Sequence, residues 1–322
     1  MRAIQISQTG GAEVLTLREL STPKPGPGEA LIQIEACGVN FIDVYFREGR
    51  YAAALPFIPG QEAAGVVAAL GPEGYGLKVG DRVAWCGVAG TYAEYAVAPV
   101  NRLVAIPDGV SSQQAAAAML QGMTAHYLAY STCAIQAGDA VLIHAGAGGV
   151  GLLLIQMAKR LGARVITTVS TEEKAALACA AGADEVILYT REDFAARVRE
   201  LTGGAGVRVV YDSVGKTTFE GSLASLQPRG LLALFGGSSG AVPPFDLIQL
   251  STRGSLYVTR PTLKDYVATH EELLRRSGDV LGWVAEGNLK LRIEHRYPLA
   301  EAAQAHRDLE GRKTTGKVLL IP

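Results

Sequence analysis

The run Ala140-Val141-Leu142-Ile143-His144-Ala145, followed by Gly146-Ala147-Gly148-Gly149-Val150-Gly151, decides the fold of this 322-residue chain. The first half is a short apolar strand, and an apolar helical stretch runs on through Leu161. Between them stands G-x-G-x-x-G, a weak pattern alone but a specific one where a strand enters it and a helix leaves it. Gly146 permits a tight turn, Gly148 lets the backbone approach a pyrophosphate, and Gly151 lets the helix pack closely on the strand. Gly149 and Val150 open the helix, whose first amides and partial positive charge suit phosphate.

Reading outward, strands at 164–169, 185–189, 207–211, 231–235 and 255–259 alternate with helices at 171–181 and 191–201. Near-continuous apolar strands separated by helices mean a parallel sheet covered on both faces, the doubly wound nucleotide-binding architecture. The first third reads differently. Residues 2–6 and 29–35 alternate polar and apolar side chains, and frequent turns join short strands, as in a barrel-like β domain. The tail has a helix rich in Glu, Leu and Arg, then 289–294, a helix at 299–309 and a closing strand at 316–321. A terminal strand needs a partner sheet, so the tail is expected to return to the first domain. The division is a discontinuous domain of 1–122 and 263–322 around a nucleotide-binding domain of 123–262.

Composition narrows the function. Hydrophobic residues make up 48% and charged residues 19%, as in a globular enzyme, and the formal net charge of -1 steers nothing towards nucleic acid or anionic lipid. The uncharged stretches 110–138 and 140–158 are broken by Ser, Gln, Thr, His and Gly, so neither reads as a membrane span. Cys37, Cys86, Cys133 and Cys179 are far apart in sequence, which excludes C-x-x-C chemistry and fits reduced thiols in the cytoplasm. The opening Met1-Arg2-Ala3-Ile4 begins a strand pattern, not a signal peptide.

The end of the strand at 164–169 bears on the cofactor. NAD enzymes usually place an acidic residue there for the ribose hydroxyls. Here Ser170 stands instead, with Lys174 one helical turn on. By spacing alone Lys174 suits a 2′-phosphate and a solvated surface equally well, and Glu172 and Glu173 lie beside it.

Several segments in order resemble the bacterial quinone oxidoreductases, the zinc-free branch of the medium-chain dehydrogenases and reductases that includes ζ-crystallin. They are 11–15, 38–43, 209–215, 255–261 and 319–322. The resemblance covers essentially the whole chain. It implies a GroES-like β-barrel catalytic domain, a Rossmann domain, NADPH and a homodimer. It also implies that Ser170, Lys174 and Tyr189 surround the 2′-phosphate, and that Gly148, Gly149, Val150 and Gly151 hold the pyrophosphate. Phe235, Gly236, Ser238, Val258 and Thr259 would hold the nicotinamide half, and Lys317 would reach the cofactor. Asn40, Tyr45 and Tyr51 match the acceptor pocket. Zinc-containing relatives carry Cys or His ligands where this chain has Asn40, Gln61 and Gln121, and neutral amides suit zinc poorly. The expected reaction is metal-free hydride transfer from NADPH to a quinone. The alternative is reduction of an α,β-unsaturated aldehyde or ketone, and a third class is a ζ-crystallin-like binding protein.

Overall fold

Six parallel strands run through the second structural unit, Thr124–Asp265. In chain order they are Ala140–Ile143, Arg164–Val169, Glu185–Leu188, Val207–Asp212, Leu226–Leu234 and Tyr257–Thr259. In the sheet they stand third, second, first, fourth, fifth, sixth, the order of two mononucleotide-binding halves joined at a switch point between the first and fourth strands. Leu142, Ile166, Ile187, Val210 and Leu232, one from each of five strands, are buried in its core with Val198, Phe219 and Leu223 from the covering helices. The first unit comprises Met1–Met123 and Tyr266–Pro322. The computed structural model describes residues 1–73 and 76–322.

Several elements of the second unit differ from their sequence reading: the sixth strand begins at Tyr257 and not at 255, and the helices Phe219–Ser225 and Ile248–Thr252 were not expected. The helix expected at 191–201 starts only at Phe194, because the Asp193 carboxylate accepts from the amides of Ala195 (2.8 Å) and Ala196 (3.4 Å) and so caps it there. The fifth strand begins at Leu226, five residues before the expected 231. Its register with the fourth shifts between Val207 and Val209, and the extra residues include Pro228 and Arg229 at φ 61°. That bulge hid the strand's first half.

The first unit is built on a seven-stranded sheet with a separate two-stranded piece, Arg2–Gln5 with Thr16–Glu19. Its long strand Glu29–Val39 pairs antiparallel with Glu62–Leu70, with Tyr95–Pro99 and with the closing strand Val318–Ile321. Ile32, Ile34, Val67, Trp85, Leu299 and Leu320 share one buried core. The segment 289–294 is not strand. The edge strand is His295–Pro298, parallel to Val318–Ile321. Register makes the site: Val318 lies opposite Val39 and Leu319 opposite Gly38, while Cys37 lies opposite Ala63. Lys317, Glu62 and Asn40 thus converge from three strand ends.

Candidate functional site

In the second unit the expected cofactor residues lie at the carboxyl ends of the strands or in the first turn of the helices that follow them, where ligands of open parallel sheets bind. After Ile143 the chain turns through Ala145 at φ 54°. A Cβ on Gly146 would lie 2.1 Å from Thr167 Oγ1, and one on Gly151 would lie 2.3 Å from the Ala145 carbonyl oxygen. At Gly148 the nearest atom would be that same oxygen at 3.1 Å. The helix Gly149–Arg160 opens at Gly148 without a side-chain cap and without an acidic residue in its first turn. Its half-buried first residues, Gly149 and Val150, leave the amide end suited to an anion.

Leu188 pairs with Val169, so Tyr189 and Ser170 emerge side by side from neighbouring strands. Ser170 is half-buried and its carbonyl accepts from Thr190 Oγ1 at 3.1 Å. Thr171 caps the next helix by accepting the Lys174 amide, which fixes where Lys174 leaves that helix. Glu172 faces Arg191 at 2.6 Å, so one of the two neighbouring acids is answered by a cation that spacing could not reveal. Phe235 donates its amide to Asp212 O, and Ser238 donates to Ser213 O. Val258 and Thr259 pair with Leu232 and Ala233 on the sheet's outer strand.

A brace behind this surface was not legible as functional. His144 is buried with Nδ1 2.9 Å from Thr168 Oγ1 and Nε2 3.0 Å from Ser222 Oγ. Ser222 donates to Asp212 at 2.8 Å, and Asp212 also takes the amides of Val214 and Gly215. The network ties the ends of three strands together.

In the first unit, Asn40 begins the helix Phe41–Arg47, its amide donating to Asp43 Oδ2 at 2.9 Å. Its side chain is 4% exposed and fully engaged. Lys317 Nζ donates to Asn40 Oδ1 at 2.8 Å and Gln121 Nε2 donates to the same oxygen at 3.2 Å. Asn40 Nδ2 donates to Glu62 Oε2 at 2.9 Å and to Gly38 O at 3.3 Å. A lysine can only donate, so Lys317 fixes which end of the amide is oxygen. The donor expected to face an acceptor is therefore committed inside the unit, and the longer bond to Gly38 is the one a ligand oxygen can displace. Lys317, expected to reach the cofactor, spends its ammonium on Asn40 and Glu62. Gln121 joins the cluster, whereas the Gln61 side chain has no hydrogen-bond partner among the described residues. Tyr45 is buried and packs edge-on against Tyr51 at 5.5 Å, while Tyr51 is 40% exposed. Arg50 lies over the Tyr45 ring at 5.4 Å.

Behind Asn40 a second polar chain runs inward. Tyr92 donates to Asp43 Oδ2 at 3.0 Å and lies 3.1 Å from His306 Nε2. Arg47 approaches His306 Nδ1 at 3.2 Å and grips Glu310 with two bonds of 2.7 and 2.8 Å. Arginine only donates, so the His306 proton sits on Nε2 and points to Tyr92. Burial pushes Asp43 up to about 7 from 3.8, against the pull of the Asn40 amide and Tyr92. Burial and Arg47 push His306 down to about 3 from 6.5. The signs oppose. Asp43 stabilises the fold fully below its ordinary 3.8 and loses that contribution as pH rises to about 7. His306 stabilises fully above 6.5 and loses that as pH falls towards about 3. The variant Asp43→Asn, neutral throughout, is thus expected to gain stability relative to wild type between about pH 4 and about pH 7. Denaturant melts across that window check it, and a pH-independent difference between the two proteins refutes it. Burial also raises the thiols of Cys37 and Cys86, so neither is a thiolate nucleophile at neutral pH.

Comparison with known proteins places both units. Residues 26–108 match the alcohol dehydrogenase GroES-like domain, and 149–272 match the zinc-binding dehydrogenase family. Quinone oxidoreductase of Pseudomonas aeruginosa is 48% identical over 323 residues, covering 100% of this chain and 99% of that protein. The crystal structure of Escherichia coli quinone oxidoreductase complexed with NADPH matches at TM-score 0.98 and 44% identity, covering 100% of both chains. A mycobacterial protein complexed with NADPH matches at TM-score 0.97 and 51% identity, again over 100% of both.

Proposed function

The chain belongs to the quinone oxidoreductase family of medium-chain dehydrogenases and reductases, and from that premise we propose that it reduces small quinones with NADPH, without a metal. The observation that carries the reading is the pairing of a glycine loop, built to admit a pyrophosphate, with Ser170 and Lys174 at the next strand's end. NADPH supplies the hydride. The loop amides of Gly148, Gly149, Val150 and Gly151 hold its pyrophosphate, and Ser170, Lys174 and Tyr189 its 2′-phosphate. Gly146 shapes the turn, while Phe235, Gly236, Ser238, Val258 and Thr259 line the nicotinamide half. Asn40, Tyr45 and Tyr51 receive the acceptor, the tyrosine rings offering a flat apolar ring something to stack on.

Donor chemistry supports the metal-free reaction. Asn40 and Gln121 offer neutral amides, and the Lys317 ammonium, 2.8 Å from Asn40 Oδ1, would repel a divalent cation there. The test is NADPH oxidation with a quinone panel and an enone panel, before and after dialysis against a strong chelator. Faster quinone reduction, unchanged by chelation, is expected. Preference for enones shifts the acceptor class, and activity lost with zinc removal overturns the metal-free mechanism.

Lys174→Ala is expected to raise the Michaelis constant for NADPH about tenfold or more, the worth of one charge-assisted phosphate contact. The constant for NADH should hardly move. Equal effects on both cofactors would remove Lys174 from the phosphate site.

A homodimer has support in the outer strand Tyr257–Thr259, where Tyr257 is 62% and Val258 39% exposed, with Leu247 and Ile248 also open to solvent. An apolar open edge favours pairing with a second copy. Sedimentation should give twice the 33.8 kDa chain mass, and Tyr257→Asp should weaken the association. A monomeric wild type refutes it. Among the described residues no helix is long and apolar enough to cross a membrane. The four cysteines are free thiols, which supports the cytoplasm as the compartment.

A further inference from the structure

Resting on the reductase reading above, we propose that Glu62 and Lys317 are a positioning pair, which locks the Asn40 amide in one orientation and keeps a permanent cation beside it. The pair is deeply buried, Glu62 at 0% and Lys317 at 3% exposure, and their side chains are in direct contact. The Glu62 carboxylate also accepts from the Leu120 amide and from Asn40 Nδ2. It therefore ties the helix Ser112–Tyr127, the start of the helix Phe41–Arg47 and the closing strand to one point. Room for the pair comes from Gly38, where a Cβ would stand 2.2 Å from Glu62 Oε2 and 2.7 Å from Lys317 Nζ.

A buried ion pair is costly to desolvate, and an apolar pair of similar volume is often no less stable. Stability alone is thus a poor reason for this one, and its geometry suggests another. Every contact it makes in common converges on the Asn40 amide. Lys317 draws electron density from the amide oxygen, which makes the Nδ2 hydrogens stronger donors. Glu62 holds one of those hydrogens, so the other is left with only the 3.3 Å bond to Gly38 O. A quinone receiving hydride builds negative charge on a ring oxygen, and a polarised donor next to a fixed cation stabilises that charge. The anion then takes its proton from water. Neither residue of the pair touches the acceptor; both act through Asn40.

The experiment uses the double variant Glu62→Gln with Lys317→Met, which removes the ion pair as a unit, and separately Gly38→Ala, which keeps both charges and forces them apart. Rates are measured on whichever panel, quinone or enone, the wild type reduces. A wrong acceptor class then shows in the wild type, and a wrong role for the pair shows only in the variant-to-wild-type ratio. Both variants are expected to lower kcat about tenfold or more, with the NADPH dissociation constant held within about twofold by fluorescence titration. Wild-type kcat in the folded double variant overturns the proposal. So does an NADPH dissociation constant that rises in step with the loss of turnover, since the pair would then serve the cofactor. Should the double variant not fold, Gly38→Ala decides on the same two readouts.

Discussion

Gly151→Val is expected to abolish measurable NADPH binding while the chain still folds. Any side chain at 151 starts with a Cβ 2.3 Å from the Ala145 carbonyl oxygen and 2.9 Å from Gly146 Cα. Both are backbone atoms of the turn itself, so neither can rotate away. The helix Gly149–Arg160 must tilt off the first strand of the sheet, carrying its opening amides with it. Two or more charge-assisted bonds to a pyrophosphate are lost together, which is worth about a hundredfold in affinity or more. Overpacking of this kind costs about 1–3 kcal/mol of stability, within what a domain this size tolerates. Gly148→Ala provides the contrast. Its Cβ meets only the Ala145 oxygen at 3.1 Å, so the fold should hardly change. The methyl group would instead stand where the pyrophosphate approaches, weakening NADPH with an unchanged melting temperature. Fluorescence titration paired with thermal melts separates the two. Ordinary NADPH affinity in Gly151→Val would mean that the loop does not hold the phosphates.

The second unit was legible because its signals are local. The apolar strands, the first three helices after the glycine turn and the turn itself lie within a few residues of the features that announce them, and together they specify the parallel sheet, whereas the short helices Phe219–Ser225 and Ile248–Thr252 carried no such signal. Where reading failed there, a local detail had intervened, as with the Asp193 cap and the bulge at Pro228 and Arg229. Spacing left Lys174 open between a 2′-phosphate contact and a solvated surface. Glu172 and Glu173 spoke against the phosphate, and the charge of Glu172 is answered by Arg191 nineteen positions away along the chain. The first unit's polar core was hardly legible at all. Lys317 and Glu62 are separated by 255 residues, and Arg47 and His306 by 259. Glu62 opens a strand of Ala, Gly, Val and Leu, and nothing in its neighbourhood says what its carboxylate pairs with. Only the antiparallel register of the closing strand against Glu29–Val39 brings the lysine to it. Buried polar networks assembled from distant strands carry no periodic signature. Asn40 and Gln121, noted as neutral amides where zinc-containing relatives have ligands, turn out to be hydrogen-bonded to each other, with the charges of Glu62 and Lys317 beside them.

Asn40→Ala is expected to cut kcat/KM for quinone by about thirty- to a hundredfold, the largest loss among the acceptor-pocket residues. The amide has four hydrogen-bond partners, and all lose by its removal. Lys317 keeps only Glu62 among its identified partners. Gln121, whose Oε1 is already buried without one, is left with no partner among the described residues on either side of its amide. Glu62 loses one of three donors, and each unmet buried group costs about 1–3 kcal/mol. Part of that appears as lost stability. The rest appears as a disordered acceptor site. NADPH affinity should fall less than turnover, since the residues proposed to hold the phosphates all belong to the second unit. Tyr45→Phe and Tyr51→Phe should do much less. Their rings keep the edge-on contact at 5.5 Å, so the surface for stacking survives the loss of either hydroxyl. Neither hydroxyl has to deliver a proton, because a hydroquinone anion takes one from water after release. Asn40→Asp keeps the side chain's size and satisfies Lys317, but sets a second carboxylate at the 2.9 Å contact with Glu62. That repulsion should make it nearly as damaging as the alanine, unlike a role resting on shape alone. Steady-state kinetics on quinone beside NADPH titration reads all four variants. Full turnover and unchanged acceptor affinity in Asn40→Ala, Tyr45→Phe and Tyr51→Phe together would place the acceptor pocket elsewhere.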